Sequence, residues 1–520
     1  MPPAGPERIT IAAVATAGLA IPAAVSLAAL LAPAHRGAGL ALGTAAITLG
    51  AVALLAVHAA GTGGRSFLPR IAAGLPASLD GSWARHRGRA LLWGTGALLA
   101  LVQITRLSAF MTDPQLRWGA AFPPVEEGVK HICMAAYVHA GDLARRGAPN
   151  VYAEEHYPAF DARTVGHPGR SSPVHNLGPF IEDAYEYPPP FLLLPRLALL
   201  LSNDFLAIRT GWFGLQCLGF MLFAAVLAAA IGGRRGLVAG LLLPALWLAL
   251  PLPFNFQFGQ FHLAAIALSV AGMLAFARGR APVGGALLAA AIVSKLFPGL
   301  LLVYLAAARR WTALAWTAAM GAAYTGLALL VFGPAPFVAF ATYHLPRVAS
   351  GAAFSFFRRT DLTLASNYGI YGLPFKLERL GLTGLRPEQS GPLLAWLFTL
   401  ALLVVAVIAG RRRLAPAQQP LVWLGLLILG SLRSPLAPNV YTAAPAIWLL
   451  TLLAVELTGR SALVVVGFVL AWLAMGSVPP MPTPEGTIVA WMVGQLLMLI
   501  LGFWVVLRGG RAELPAAQAG

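Results

Sequence analysis

Between Ile9 and Pro33 the chain runs for 25 residues without a charge. That is longer than the apolar core of a signal peptide, roughly 7–15 residues, and long enough to cross a bilayer. It reads as a retained span. Comparable stretches follow at 39–61, 89–110, 204–231, 236–253, 260–277, 311–332, 390–409, 419–432, 440–456, 461–477 and 487–507. No water-soluble fold tolerates such a pattern. The sequence predicts an all-α polytopic membrane protein with about 12 transmembrane helices. Composition agrees: 11% of residues are charged, against roughly 25% in soluble domains.

The 36 Lys and Arg outnumber the 19 Asp and Glu, for a net charge of +17. Basic residues beside membrane spans record orientation, so the excess does not imply nucleic acid as a partner. With the N-terminus placed in the cytoplasm, Arg65, Arg70, Arg85, Arg234 with Arg235, Arg278 with Arg280, Arg309 with Arg310, Arg411 to Arg413, and Arg508 share the inner side. This holds only if 283–308 crosses zero or two times. Two full spans do not fit between Arg280 and Arg309 at ~1.5 Å per residue. A broken helix pair meeting at Lys295–Pro298 is therefore expected. The termini are expected in the cytoplasm of a bacterial inner membrane, with function facing outward.

The organisation follows: N-terminal spans over 1–110, a first large outer loop at 111–187, and a transmembrane core over 188–332. A second outer loop at 333–389 and C-terminal spans over 390–520 complete it. The first loop carries Asp113, Glu126, Glu127, Asp142, Glu154, Glu155, Asp161, Glu182, Asp183 and Glu186, more than half of the 19 acids. A membrane enzyme needing an outward-facing base keeps its carboxylates there; so does any large solvated loop. The two cysteines, Cys133 and Cys217, suggest neither a disulfide framework nor a metal cluster.

Four local features carry chemistry. Glu186-Tyr187-Pro188-Pro189-Pro190 reads as a helix entering the membrane, with Tyr187 at the interface. Asn255, Gln257, Gln260 and His262 gather at a span mouth, where amides bind sugar or phosphate or else tie helices together. Lys295 stands amid apolar helix, a costly placement that marks function unless the side chain snorkels. The second loop offers His344, Arg347, Arg358, Arg359, Asp361 and Asn367, and Arg groups suit phosphate. No Walker loop, zinc spacing or nucleophile elbow is found in the sequence. Energy must then come from an activated substrate or a gradient.

Taken in order, the Tyr-Pro-Pro entry, Gly259-Gln260, Lys295-x-x-Pro298, Ser366-Asn367-Tyr368-Gly369 and Ser434-Pro435 resemble glycosyltransferase family 87 over roughly 115–460. These are integral membrane mannosyltransferases of GT-C fold. The resemblance implies a polyprenyl-phosphate sugar as donor, mannose foremost, and a glycolipid or glycan as acceptor on the outer face, among membrane lipids. It implies inversion assisted by a base, without metal or other cofactor. It also implies a hexosyltransferase whose base is a carboxylate near the start of the first loop. There Cys133 or its neighbours stand at the expected acid position, while Ala140-Gly141 and Asn150-Val151-Tyr152 follow the family pattern. The candidate bases are Glu127, then Glu126, then Asp142. Lys295 and Arg347 are expected on donor phosphate, with Gln260, His344, Asn367 and Tyr187 lining the donor site. The rival reading is a polytopic transporter or lipid flippase without covalent chemistry, which a broken helix pair would also suit.

Overall fold

A computed structural model describes residues 20–25, 27–29, 31, 38–61, 87–116, 119–120, 131–157, 180–182, 184–358, 360–457, 460–476 and 479–508. The chain is an all-α membrane protein. Two strands of two residues each, His131–Ile132 and Ile181–Glu182, pair in parallel and do not alter that class.

Six helices among the described residues are long and apolar enough to cross a bilayer, or seven if one bent pair counts as a span. They are Leu91–Thr112, Phe205–Ala228, Trp311–Phe332, Pro387–Arg411, Asn439–Leu457 and Pro484–Arg508. The apolar runs suggest about twelve, and the difference has local causes. The run at 236–253 is cut into the helices Gly233–Leu241, Leu243–Leu248 and Pro251–Gln257, with Pro244 and Pro251 each opening a new helix. Proline removes a donor and ends the preceding ladder. The helices Gln419–Ser431 and Ala462–Gly476 have 13 and 15 residues, short of a full crossing. The run 9–33 falls largely outside the described residues.

Burial separates centre from rim. Every residue of Pro420–Ser431 and of Ala444–Leu453 is buried, so these two helices form the middle of the core. At the rim, only 11% of the apolar window of Trp311–Phe332 is buried, and Leu330 is 86% exposed. An apolar band facing outward is what lipid rather than water accommodates. Between centre and rim, His262–Ala277 packs on Ala281–Ser294 and that helix on Trp311–Phe332. A Cβ at Gly272 would lie 2.9 Å from the Gly284 carbonyl oxygen, so glycine sets this approach.

Two breaks interrupt the central helices. Pro251–Gln257 and His262–Ala277 meet at 104°. Ala281–Ser294 stops at Lys295, which is extended (φ −143°, ψ 135°), before a 3-10 turn at Phe297–Gly299 and the helix Leu300–Ala307.

The two polar segments dock on this frame. In the first, Cys133–Arg145 is a nearly fully buried helix rather than a solvated loop. In the second, Ala335–Ala339, a π-helical turn at Phe340–His344, and Leu345–Ser350 run on from one another. The helix Asp361–Ser366 follows, started by a Thr360/Thr363 capping box. Its neighbour Leu373–Arg379 buries Lys376 completely, with Nζ donating to Gln495 Oε1 at 3.1 Å. That contact ties the second segment to the last span.

Candidate functional site

The break at Phe258–Phe261 frees carbonyls that an unbroken helix would have used. In an apolar interior each needs a donor. The Met134 backbone N–H donates to Phe258 O at 3.1 Å, Trp212 Nε1 to Gly259 O at 3.0 Å, and Gln216 Nε2 to Gln260 O at 3.1 Å. Gly259 has φ +63°, and a Cβ there would lie 2.8 Å from that of Met134. Glycine is the residue that turns the chain here. The turn delivers the Gln260 side chain to a buried cluster. Gln260 Oε1 accepts from the Tyr137 hydroxyl at 2.9 Å and from the Tyr187 hydroxyl, and Nε2 lies 3.5 Å from Cys133 Sγ.

Tyr187 is held from every side. The prolines at 188–190 open the 3-10 turn Pro189–Leu192, and Phe191 stacks on the Tyr187 ring at 4.4 Å. The Tyr152 hydroxyl donates to the Tyr187 carbonyl at 2.9 Å. From the second break, Lys295 Nζ stands 4.6 Å from the Tyr187 ring centroid. The two helix breaks therefore meet at one tyrosine. Beside them His262 stacks on Phe297 at 5.0 Å and faces Tyr441 at 5.8 Å. Its Nε2 is buried without a hydrogen-bond partner.

The second polar segment closes the opposite wall. The π-helical turn Phe340–His344, a rare geometry that is frequent at functional sites, places His344 flat on Tyr152 (4.6 Å, 19°). The His344 ring also bonds to the Glu186 backbone carbonyl. Burial above all, with the nearby Arg347 guanidinium, pushes the His344 imidazole down to about 4, so it is neutral at neutral pH. Its Nε2 has no partner. Glu186 is half-buried between the buried rings of Tyr185 and Tyr187, and its carboxylate attracts the Lys295 ammonium.

Of the residues expected from sequence, Tyr187, Gln260 and Lys295 come together directly, and His344 joins them through Glu186 and Tyr152. Arg347 lies at the edge of this cluster, near enough to His344 for its charge to act on that imidazole. It pairs with Glu154 at the surface and lies 5.1 Å from the Tyr343 ring. Asn367 is fully buried, but its amide serves main chain alone: Nδ2 donates to Pro435 O at 2.8 Å, and Oδ1 accepts from Gly369 N and Ala437 N at 2.9 Å. It staples the second segment to the Ser434–Pro438 turn. Asp142 lies against Arg145 at 2.6 Å and Arg146 at 2.7 Å, both on or beside its own helix. Glu126 and Glu127 lie outside the described residues.

Sequence reasoning did not assign Tyr137, His262, Tyr441 or Glu186 to the site. His262 and Glu186 lie inside motifs already noticed, Phe258–His262 and the Tyr-Pro-Pro entry. Tyr137 and Tyr441 carry no local signal, because their role comes from partners far away in the chain. Cys133, at the position where the resemblance expects an acid, brings a thiol to Gln260.

The arrangement offers one half-buried ammonium, two imidazole faces, several aromatic faces and one half-buried carboxylate. A cation at the end of a broken helix suits an anionic head group. Aromatic faces suit the apolar side of a sugar ring. The model of glycosyltransferase family 87 matches residues 185–438, which include Tyr187, Gln260, His262, Lys295 and His344. Comparison with curated proteins and with solved structures finds no match.

Proposed function

From residues 185–438, which make this chain a member of glycosyltransferase family 87 and so a membrane glycosyltransferase, we propose that it is a hexosyltransferase using a polyprenyl-phosphate sugar, with mannose the foremost candidate. The acceptor is a glycolipid or glycan on the outer face of a bacterial cytoplasmic membrane. Both termini lie in the cytoplasm, and the helices take up a GT-C arrangement with the short and broken ones completing the count of spans.

The observation that carries this reading is Lys295: a half-buried ammonium at a helix break, against Tyr187 and beside His262. In the reaction the acceptor hydroxyl oxygen bonds to the anomeric carbon from one face. The bond from that carbon to the donor phosphate oxygen breaks on the other, its electron pair leaving with the lipid phosphate. Inversion follows. Lys295 faces the charge gained by the phosphate, and such stabilisation is worth most in a water-poor site. The hydroxyl proton passes to a carboxylate of segment 111–187.

The experiment is transfer of radiolabelled sugar from polyprenyl-phosphate mannose, in membranes that contain the protein, to endogenous glycolipid. Label that becomes covalently attached to the acceptor supports the reading. Label that changes sides of the membrane while still on its polyprenyl phosphate overturns it in favour of a flippase.

A further inference from the structure

We infer that the chain binds an anionic phospholipid head group at an arginine cluster where three helix ends meet. The cluster lies at the end of Ala281–Ser294 opposite Lys295. The inference stands apart from the glycosyl-transfer reading.

Packing gathers the arginines. Arg280 precedes the helix Ala281–Ser294, and Arg310 precedes Trp311–Phe332. The two helices start side by side: a Cβ at Gly285 would lie 2.7 Å from that of Trp316. The third end is Arg411, which closes Pro387–Arg411. A Cβ at Gly410, just before it, would lie 3.2 Å from the Ala308 backbone nitrogen. Arg278, Arg280, Arg309, Arg310, Arg411 and Arg413 thus share one end of the bundle, and all six are exposed. Among the described residues none of them pairs with a carboxylate, whereas Arg235 pairs with Glu456 at 2.6 Å. The stretches 278–281, 308–311 and 411–418 contain no acid. Like charges this close repel, so the counter-charge must come from outside the chain.

One backbone angle singles out Arg309. The turns at 278–280 and 308–310 are built alike. In the first, Gly279 N donates to Phe276 O at 3.1 Å and Arg280 N to Ala275 O at 2.9 Å. In the second, Arg309 N donates to Ala306 O at 3.0 Å and Arg310 N to Leu305 O at 2.9 Å. Such a helix end takes a left-handed residue, usually glycine. The first turn uses Gly279 (φ +74°), but the second uses Arg309 (φ +55°), a conformation that side chains seldom adopt. Its side chain is exposed, so packing does not demand it. Arginine at a glycine position adds a charge to a cluster that already repels itself, which an anion held there would offset.

The setting selects a lipid as that anion. Trp311, directly after the turn, is 64% exposed, and only 11% of the apolar window of its helix is buried. The arginines therefore stand where a lipid-facing surface ends, the level of head groups and of interfacial tryptophan. Guanidinium groups bond phosphate through paired N–H donors.

The test titrates the full-length protein, delipidated in detergent, with phosphatidylglycerol or phosphatidylcholine, and counts bound lipid by native mass spectrometry. Wild type is expected to prefer phosphatidylglycerol by about 25-fold or more, at about fivefold for each arginine engaged. Arg309→Gly should lose about fivefold of that preference with no fall in unfolding midpoint, since glycine suits the turn. The triple variant Arg309→Gly, Arg310→Gln, Arg411→Gln should bind the two lipids about equally, within roughly threefold. Arg235→Gln, which removes a charge already matched, should stay within about twofold of wild type. Equal affinity for the two lipids in wild type overturns the proposal, as does an unchanged preference in the triple variant. Displacement of phosphatidylglycerol by equimolar inorganic phosphate overturns it in favour of a free-anion site. Polyprenyl phosphate that binds more tightly than phosphatidylglycerol, and is lost in the same triple variant, overturns it in favour of a donor-lipid site.

Discussion

The Lys295 ammonium lies 4.6 Å from the centre of the Tyr187 ring, although one residue comes from a broken helix in the core and the other from the end of the first polar segment. The contact brings a cation to an aromatic face where water is scarce, a setting in which such an attraction reaches about 2 kcal/mol. It also joins that cation to the network of Tyr187, Tyr137 and Gln260.

Lys295→Ala should raise the donor KM about 10- to 100-fold, the range for losing a charged hydrogen bond. Lys295→Arg should recover part of that loss, since it restores the charge with a different shape. Initial rates against donor concentration check both. An unchanged donor KM in Lys295→Ala removes the phosphate role.

Gln260→Leu should leave two buried phenols, Tyr137 and Tyr187, without their shared acceptor. Because the two hydroxyls also bond to each other, the expected cost is that of one hydroxyl proton losing its acceptor, about 1–3 kcal/mol. Thermal unfolding in detergent should show a lowered midpoint. Tyr187→Phe keeps the ring under Lys295, and its midpoint should fall less.

His344 gives a pH signature. Burial holds its imidazole at about 4 in the folded protein, below the ordinary 6.5. Between these values the unfolded chain binds more protons, so stability rises with pH through that window. The contribution is complete above the ordinary value and is lost as pH falls through it toward about 4. In His344→Gln the unfolding midpoint should fall less between neutral pH and pH about 4.5 than in wild type. Equal slopes for the two proteins exclude this source.

Asn367→Ala removes one donor and one doubly used acceptor from main-chain groups at Pro435, Gly369 and Ala437. A stability loss of about 2–4 kcal/mol is expected from groups buried without partners. The donor KM of the surviving folded fraction should stay within about threefold of wild type, less than the loss of one hydrogen bond. A large KM effect without destabilisation instead assigns Asn367 to the donor.

Arg347→Ala breaks a surface pair with Glu154, whose side chain is 69% exposed. Exposed pairs contribute about 0–1 kcal/mol, so the unfolding midpoint should barely move. Donor saturation kinetics decide whether Arg347 also meets phosphate: a donor KM raised about tenfold or more, the size of one charged contact, restores that role.

Legibility in the sequence follows the range of the interaction. The ends of helices at Pro244, Pro251 and Lys295 have local causes, so the break near Pro298 is expected from the residues themselves. The break at Phe258–Phe261 is harder to foresee. Its carbonyls are satisfied by Met134, Trp212 and Gln216, none of which is a neighbour in the chain. Asn367 and Arg347 have the polar character of ligand-binding residues; that Asn367 bonds to main chain and Arg347 pairs with Glu154 is visible only in the tertiary structure.

The sequence by itself determined the class. Long uncharged runs in a chain with 11% charged residues admit only a membrane protein, and the ordered motifs between 185 and 438 carry the family. Both are properties of composition and spacing, which survive without knowledge of contacts. Only the tertiary structure decided which polar residues share a site. A buried polar group takes whichever partner the packing brings within hydrogen-bonding reach, and these partners of Tyr187 come from one helix, the end of a second and a break between two others. The helix Cys133–Arg145 supplies Tyr137, the Phe258–Phe261 break supplies Gln260, and the end of Ala281–Ser294 supplies Lys295.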